Sequence, residues 1–257
     1  MSNLIHSTAI VDKDAIIGDD VEIGPFSIVE KNVKIGDNTK ISSSALIKEY
    51  STIGSECQIF KGAVIGEIPM DLKFEGEESR LEIGDRTTVR EFCTLHRGTK
   101  DKKITKIGSD CLLMSYSHVA HDVEIGNHVI ISISVNIAGH AEVDDYAIIG
   151  GCTPIHQFCK VGKHAFIGGG RLILQDVPPY ILATGEPLRY AGVNSVGLRR
   201  RNFSPSSRAQ IKKAYSLIYQ SELNISQAVD KIKSDFDRTD EIDVILEFIE
   251  RSDRGLI

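Results

Sequence analysis

An aliphatic residue recurs every six positions through roughly two-thirds of the chain. The series consists of Ile5, Val11, Ile17, Ile23, Val29, Ile35, Ile41, Ile47, Ile53, Ile59 and Ile65, then Ile83, Val89 and Leu95, and then every sixth residue from Ile107 to Ile173. Within this span the phase is broken at Asp71, Glu77 and Asp101. A period of six fits neither the 3.6-residue repeat of a helix nor the two-residue repeat of an ordinary strand.

Small residues occupy fixed positions relative to each aliphatic residue. Alanine or another short residue stands four positions later, as at Ala9 and Ala45, and glycine often follows directly, as at Gly18. This pattern predicts a parallel β-helix of hexapeptides, with roughly ten coils of 18 residues that bury one another. A sandwich of conventional strands would need period-two alternation and turn signals every ~8–12 residues, which the strict register does not provide.

The end of the repeat near Ile173 marks the boundary between two predicted domains. We predict a mainly β structure, with a parallel β-helix over residues 1–178 and a connector followed by a small α-helical domain over 179–257. Residues 66–82 and 98–105 lose the period and gain charge, so we expect them to be loops that leave the coil.

The C-terminal segment carries helix signals. We expect an irregular connector over 180–203, and Ser204 followed by Pro205 predicts a helix start. Apolar residues at helical spacing predict two further helices over 225–235 and 240–252.

Composition limits the possible partners and location. The net charge of −6 over 257 residues argues against general nucleic-acid binding. No apolar run approaches the ~20 residues of a membrane span, so we expect no stable membrane insertion. The first ten residues lack a signal-peptide pattern. Four of the five cysteines occupy the small position of the repeat, which favours free buried thiols and a cytoplasmic protein: Cys57, Cys93, Cys111 and Cys159.

Histidines concentrate on one part of the repeat. Five of the eight lie between Leu113 and Phe158, namely His118, His121, His128, His140 and His156. Residues 18 apart should stack ~4.8 Å from each other in adjacent coils. One predicted column is therefore His121, Gly139 and Gln157, and the next is Asp122, His140 and Phe158.

These columns suggest acid–base chemistry. His121 could act as a general base, and the Gly139 N–H could stabilise an oxyanion. Asp122 could orient either His121 or His140. Histidines are also common metal ligands, but the spacing of three in HVAHD and the lack of paired cysteines favour a site without metal. We expect no cofactor.

At these motifs the chain resembles a known enzyme family. IGDRTTVREFCTLHRGT, HVAHDVEIGN, NIAGHAEVDDYAIIGG, PIHQFCKVG and QDVPPY are similar to the cytoplasmic acyl-carrier-protein-dependent UDP-N-acetylglucosamine O-acyltransferases, and the resemblance covers nearly the whole chain. It implies a homotrimer of left-handed β-helices with active sites between subunits. It also implies transfer of an (R)-3-hydroxyacyl group from acyl carrier protein to the 3-position of UDP-N-acetylglucosamine, the first step of lipid A synthesis.

The resemblance assigns roles to individual residues. It implies that His121 is the base, that Asp122 orients it and that Gly139 is the oxyanion donor. It implies substrate contacts from His118, His140, His156 and Gln157, further contacts from Asp71, Lys73 and His96, and nucleotide contacts across the subunit boundary from Asn194 and Arg200. The family commonly has glutamine where Met70 stands and often glutamate where Val196 stands, and both departures bear on the implied sugar-nucleotide contacts. Some family members use a 3-amino sugar and form an amide, and that acceptor remains open.

Two further sites concern the acyl donor. A basic cluster near the predicted helices is a candidate surface for acidic acyl carrier protein: Arg199, Arg201, Lys212 and Lys213. The resemblance places the end of the acyl-chain groove just after HQF, which makes Phe166, Gly169 and Leu172 the candidate floor. Arg171 falls in the small inward position, so we expect the last coil to be open or distorted there.

Three other functions remain open. A related glucosamine N-acyltransferase normally has an additional N-terminal nucleotide-binding domain, which we do not expect because the repeat begins at Ile5. A β-helical metalloprotein similar to carbonic anhydrase would bind metal through the histidines. A non-catalytic trimeric scaffold would not depend on His121.

Overall fold

The computed structural model describes residues 3–257, which form a left-handed parallel β-helix followed by four helices. Sheet A contains β1 (Leu4–Ile5), β4 (Glu22–Ile23), β7 (Lys40–Ile41), β10 (Gln58–Ile59), β13 (Thr88–Val89), β16 (Leu112–Leu113), β19 (Ile130–Ile131), β22 (Ile148–Ile149), β25 (Phe166–Ile167), β26 (Ile181–Thr184) and β27 (Arg189–Val193). Sheet B contains β2 (Ile10–Val11), β5 (Ile28–Val29), β8 (Leu46–Ile47), β11 (Val64–Glu67), β14 (Thr94–His96), β17 (His118–Val119), β20 (Asn136–Ile137) and β23 (Pro154–Ile155). Sheet C contains β3 (Ile16–Ile17), β6 (Lys34–Ile35), β9 (Ser51–Ile53), β12 (Arg80–Ile83), β15 (Ile104–Ile107), β18 (Glu124–Ile125), β21 (Glu142–Val143) and β24 (Lys160–Val161).

The six-residue period determines which side chains form the core. In each two-residue strand the repeated aliphatic residue points inward, and Ile47, Ile59 and Ile131 are completely buried. The short residue two positions before it also points inward, and the four cysteines predicted to occupy this position are buried and free. Each coil turns between sheets through a residue with φ near +60°, such as Asn38. The predicted β-helix is therefore confirmed.

Two insertions leave the coil at the same corner. Most strand partners are 18 residues apart, but Gln58 pairs with Thr88, 30 residues later, and Thr88 pairs with Leu112, 24 residues later. The first insertion, loop 1, spans 68–79 between β11 and β12, and the second, loop 2, spans 97–103 between β14 and β15. Both leave the turn from sheet B to sheet C, here called the B–C corner. Strand residues occupy both ends of the first predicted excursion, 66–67 and 80–82, and the C-terminal end of the second, 104–105, whose loop begins one residue earlier than predicted.

The chain after the last full coil is more regular than predicted. β26 pairs in parallel with β25, and β27 pairs antiparallel with β26. The helix α1 follows at Ser195–Arg200. The expectation of an irregular connector over 180–203 was wrong, because these residues add two strands to the edge of sheet A. The division into two domains near residue 178 stays a prediction.

The remaining helices begin at clear caps. α2 spans Pro205–Tyr219 behind the predicted cap Ser204, whose side chain accepts a hydrogen bond from the Ser207 N–H. α3 spans Ile225–Asp235 and α4 spans Asp240–Glu250, close to the predicted bounds. Among residues 3–257 no helix is long and apolar enough to cross a membrane.

The coil around Arg171 is distorted, as expected. Residues 168–176 form no strand and pair only through isolated bridges such as Ile155 with Ile173. The Arg171 side chain is 36% exposed, and Nη1 of its guanidinium lies 3.5 Å from the Glu186 carboxylate, while Nε stays buried. A cation in the small inward position would otherwise be buried without a partner.

Asp176 fastens the C-terminal tail to the β-helix. Its fully buried carboxylate accepts hydrogen bonds from the Lys160 N–H at 2.7 Å and the Ser252 hydroxyl at 2.7 Å, and from the Arg254 N–H at 3.3 Å. Its own N–H donates to the Gly255 carbonyl at 2.9 Å. One carboxylate therefore joins the C-terminal tail to the last coil of the β-helix.

We expect Asp176→Ala to destabilise the fold, because it leaves buried donors without an acceptor. The expected cost is about 3 kcal/mol, or roughly 5–10 °C in Tm, measured by thermal unfolding at fixed protein concentration. Asp253→Ala is the matched control from the same tail, because the Asp253 side chain is 82% exposed and the ammonium of its buried partner Lys160 also donates to the Arg251 carbonyl at 2.7 Å. Equal melting temperatures for the two variants would contradict the role of Asp176.

Candidate active site

Three successive coils bring polar residues together at the B–C corner. The His140 N–H donates to the His121 carbonyl at 3.2 Å, and the Phe158 N–H donates to the Gly139 carbonyl at 3.2 Å, so the two predicted columns are present. Loops 1 and 2 fold over this corner and enclose a groove of about 770 Å³. The groove is lined by Met70, Asp71, Leu72, Lys73, Glu77, Thr99, Lys100, Asp101, His121, His140, Gln157 and Phe158.

The Asp122 carboxylate is the most tightly held group of the site. It is fully buried, and its Oδ2 lies 2.8 Å from Nδ1 of His121. The Thr99 N–H and hydroxyl donate to its two oxygens at 3.0 and 2.6 Å. Burial by itself raises the pKa of Asp122, but the hydrogen bonds from His121 and Thr99 outweigh burial and lower the pKa to about 2.

The geometry decides which histidine Asp122 orients. His140 Nε2 lies 3.8 Å from Asp122 Oδ2, beyond hydrogen-bond distance, whereas His121 Nδ1 is in contact. A carboxylate on Nδ1 favours the tautomer with its proton there and leaves Nε2 as an acceptor. Of the two histidines left open by the sequence, Asp122 contacts His121.

The imidazole of His121 lies directly on the backbone of Gly139. A Cβ atom at position 139 would stand 2.7 Å from Cε1 and 2.9 Å from Nε2 of His121. Within residues 3–257 the Gly139 N–H has no hydrogen-bond acceptor. A glycine is thus required here for close approach, and a free donor lies beside the imidazole.

His140 forms the adjoining wall. Its ring stacks on Phe158 at 4.6 Å and meets the edge of the His121 ring at 5.2 Å, both between centroids. Burial lowers the pKa of His140 from its ordinary value, against the opposing effect of the Asp122 carboxylate. His140 is therefore a mainly neutral hydrogen-bonding group near pH 7.

His96 and His118 form a second pair beside the corner. Their rings meet edge to face at 4.9 Å, and Nδ1 of His118 lies 2.8 Å from the Thr94 hydroxyl. Burial, with smaller contributions from His96 and His121, lowers the pKa of His118 to about 4, and burial also lowers the pKa of His96. Both rings are neutral near pH 7 and suit uncharged polar parts of a ligand.

The other predicted contacts on this corner are more exposed. His156 is half-buried and Gln157 is exposed in the last coil of the column. Asp71 and Lys73 lie on loop 1 in the groove, and the Lys73 N–H donates to the Asp71 carboxylate at 3.0 Å. Nδ1 of His156 lies 3.2 Å from the Gln157 carbonyl, and within residues 3–257 these four side chains make no other hydrogen bond.

Two predicted nucleotide contacts lie elsewhere in the same chain. Asn194 is the N-cap of α1, and its amide donates to the carbonyl of His164 at 3.0 Å. His164 lies at the turn from sheet C to sheet A, here called the C–A corner, and Arg200 is exposed at the end of α1. A single chain therefore does not bring Asn194 or Arg200 to the groove.

The residues of the predicted acyl-chain floor lie on different faces of the β-helix. Phe166 is on sheet A, and the Ile155–Ile173 bridge places Leu172 in the outward row of sheet B. Gly169 is exposed at the turn between them. Residues six apart occupy successive faces of the coil, so Phe166 and Leu172 lie on adjoining faces and not on one face.

Three contacts escaped sequence reasoning because they involve the loops. Thr99 binds the Asp122 carboxylate, and Glu77 of loop 1 accepts a hydrogen bond from the Lys100 N–H of loop 2 at 2.9 Å. The buried Arg97 guanidinium lies over the rings of Tyr50 and Phe74, at 5.4 and 5.6 Å. No period predicts such contacts, because both loops interrupt the repeat.

The same cluster has donor atoms suited to a metal ion. Potential ligand atoms of His121, Asp122 and His140 lie within 4.8 Å of one another. The Asp122 oxygens, however, already accept hydrogen bonds from Thr99 and contact His121 Nδ1. These contacts favour an imidazole held by a hydrogen bond to Asp122 over one that binds a metal ion. Metal analysis of the purified protein is the direct test.

Family models match both parts of the chain. The bacterial transferase hexapeptide model, of six repeats, matches residues 14–49 and 104–132. The model described as UDP-N-acetylglucosamine O-acyltransferase, domain 2, matches residues 176–257. The fold and these matches define a transferase of the hexapeptide-repeat class.

Full-length relatives specify the family. The acyl-[acyl-carrier-protein]–UDP-N-acetylglucosamine O-acyltransferase of Cupriavidus pinatubonensis is 56% identical over 263 residues, with 98% of each chain covered. The solved UDP-N-acetylglucosamine acyltransferase of Bacteroides fragilis is 46% identical with a TM-score of 0.97, covering 99% of this chain and 100% of that one. That of Francisella novicida is 38% identical with a TM-score of 0.96, covering 99% and 94%. The chain belongs to the acyl-[acyl-carrier-protein]–UDP-N-acetylglucosamine O-acyltransferase family and is an acyltransferase.

Proposed function

We propose that this protein transfers an (R)-3-hydroxyacyl chain from acyl carrier protein to the 3-hydroxyl of UDP-N-acetylglucosamine, in the cytoplasm and as the first step of lipid A synthesis. The substrates follow from the family, whose members are named for them. The observation that carries the mechanism is the His121 imidazole, held between the Asp122 carboxylate and the Gly139 backbone.

In the proposed mechanism His121 is the general base. Its Nδ1–H donates to Asp122, and its Nε2 takes the proton of the sugar 3-hydroxyl as that oxygen attacks the thioester carbonyl. The Gly139 N–H donates to the oxyanion that forms. The C–O bond is formed in this tetrahedral intermediate, which then collapses: the carbonyl re-forms, the C–S bond breaks, and the proton on Nε2 passes to the leaving thiolate. This reaction requires no cofactor.

The remaining groove residues would bind the acceptor and donor. We assign substrate contacts to Asp71, Lys73, His96, His118, His140, His156 and Gln157. Asn194 and Arg200 lie on the other side of the chain, so they would serve the groove of a neighbouring subunit in a homotrimer. This arrangement would complete the site with residues of two copies.

The decisive experiment is an acyl-transfer assay with acyl carrier proteins of several chain lengths. UDP-N-acetylglucosamine, its 3-amino analogue and an N-acyltransferase acceptor with a free 2-amine are offered separately. Ester formation on the first acceptor is expected. Preferential amide formation on the 3-amino sugar, or transfer only to the 2-amine, would replace the proposed acceptor. Stoichiometric metal without transfer would favour the metalloprotein alternative.

We expect the acidic acyl carrier protein to dock on the exposed part of the basic cluster. Arg201 lies 5.0 Å from the Tyr146 ring and Lys213 lies 4.7 Å from the Phe236 ring, so Arg199 and Lys212 are the freer charges. Arg199→Glu combined with Lys212→Glu should raise KM for the acyl donor severalfold and leave KM for the nucleotide sugar unchanged, because charge steering is specific to the acidic partner. An unchanged donor KM with intact salt dependence would exclude this surface.

We expect Leu172 to limit the length of the acyl chain. Leu172 is 48% exposed and lies three coils beyond His118 in the outward row of sheet B, at ~4.8 Å per coil. Leu172→Gly, or Phe166→Ala from the adjoining face, should shift preference to longer chains. Since each methylene contributes ~0.8 kcal/mol, two carbons could change the product ratio by more than about tenfold. A competition assay with mixed donors measures that ratio, and an unchanged ratio in both variants would place the floor elsewhere.

A further inference from the structure

Loop 2 supplies all but one of the polar contacts that hold the Asp122 carboxylate. Oδ1 accepts hydrogen bonds from the Thr99 N–H at 3.0 Å and the Lys102 N–H at 3.3 Å. Oδ2 accepts from the Thr99 hydroxyl at 2.6 Å and lies 2.8 Å from Nδ1 of His121. Both carboxylate oxygens are therefore oriented by the same threonine.

Thr99 is itself firmly placed. It is 4% exposed, and its carbonyl accepts a hydrogen bond from the Lys103 N–H at 2.8 Å, which closes the short loop. On the other side of Asp122, the Thr105 hydroxyl accepts the Asp122 N–H at 2.8 Å. Loop 2, which adds six residues to the coil, thus holds the N–H and hydroxyl of Thr99 firmly against the Asp122 carboxylate.

Loss of the Thr99 donors would change how Asp122 holds the His121 imidazole. A fully buried carboxylate that loses its donors becomes costly to keep ionised, and its plane is free to turn. A turned or protonated Asp122 would no longer accept from Nδ1 of His121, and the imidazole could adopt the other tautomer. Nε2 would then carry the proton and could not accept one from a substrate hydroxyl.

We propose that Thr99 is a positioning residue, which acts through Asp122 to hold His121 in the tautomer with Nδ1 protonated and Nε2 free. This inference rests on the proposed role of His121 as the base. Thr99 is not expected to touch the substrate through its hydroxyl, since that hydroxyl is directed at Asp122.

The test compares Thr99→Val, which keeps the shape and removes the hydroxyl, with Thr99→Ser, which keeps the hydroxyl. Hydrogen bonds to charged groups are strong, so Thr99→Val should lower kcat about ten- to a hundredfold and change KM for the nucleotide sugar little. Thr99→Ser should restore most of the activity. Thr153→Val is the matched control, because Thr153 is a fully buried threonine of the same β-helix whose hydroxyl has no hydrogen-bond partner among the described residues.

A spectroscopic readout separates positioning from a merely structural effect. In protein labelled with ¹⁵N-histidine, the native chain and Thr99→Ser should show His121 protonated on Nδ1, with a low-field proton signal. Thr99→Val should weaken that signal and populate the Nε2–H tautomer. If Thr99→Val also lowers Tm, Thr99→Ala, which places no methyl group against the Asp122 carboxylate, provides the same two readouts.

The outcomes distinguish this inference from the proposed function. Native-like kcat and an unchanged His121 tautomer in Thr99→Val would overturn the role of Thr99, while loss of activity in His121→Ala would leave the proposed reaction intact. Absence of acyl transfer by the native protein would overturn the proposed reaction, and the tautomer measurement would still test the effect of Thr99 on His121.

Discussion

Replacing His121 by alanine should lower kcat about 10²- to 10⁴-fold, the usual contribution of a general base. The side chain is 15% exposed and packs on Gly139 at the groove, away from the aliphatic core, so the fold should be retained. The measurement is steady-state acyl transfer at saturating nucleotide sugar, together with Tm and the mass of the assembly. Turnover within tenfold of the native enzyme would exclude His121 as the base and would favour a binding role or a non-catalytic scaffold.

The matched control is His6→Ala, which removes a histidine from the first coil of the same repeat. His6 is exposed between β1 and β2, and its Nδ1 lies 3.0 Å from the Thr8 hydroxyl. It lies at the other end of the β-helix from the residues assigned to the groove, so kcat should be close to native. Equal losses in the two variants would indicate general damage to the β-helix and not the loss of a base.

The second large effect should come from a single methyl group. In Gly139→Ala the new Cβ would stand 2.7 Å from Cε1 of His121, and the nearest atoms it meets all belong to that imidazole. The ring must move by roughly an ångström, and a displacement of this size can cost about 10²-fold in rate. We therefore expect kcat to fall by about that factor while Tm changes little, because the clash is with a side chain and not with the backbone.

Gly151→Ala tests the same change where no catalytic group is near. Gly151 lies in a turn of the same β-helix, and a Cβ there meets Cγ2 of Ile133 at 3.2 Å and the Ile133 carbonyl oxygen at 3.3 Å, so small shifts can accommodate it. Its kcat should stay near native. If Gly139→Ala is as active as Gly151→Ala, the close approach of His121 to Gly139 has no part in the reaction.

The fold and the main column of the site could be predicted from the sequence because the repeat is strict. An aliphatic residue every six positions must point inward, which fixes three faces per coil and brings residues 18 apart into contact. His121, Gly139 and Gln157 therefore had to share one corner. The same rule would also have separated Phe166 from Leu172, since residues six apart lie on successive faces.

Residues outside the repeat were less predictable. Residues 180–203 carry no hexapeptide signal, and they form β26, β27 and α1 because the open edge of sheet A accepts further strands. Within one chain the Asn194 amide caps α1 and donates to the His164 carbonyl, so its predicted nucleotide contact would require a second copy. Nothing in the local sequence indicates that this asparagine also caps a helix.

The sequence by itself determined the β-helix, the corner that carries the histidines and the family to which the chain is similar, because each depends on period or motif. Only the tertiary structure decided that Asp122 contacts His121 and not His140, and that Thr99 holds Asp122 from 23 residues earlier in the chain. The physical reason is that a hydrogen bond depends on distances of a few tenths of an ångström. Loop 2, which sets those distances, is an insertion that the repeat does not govern.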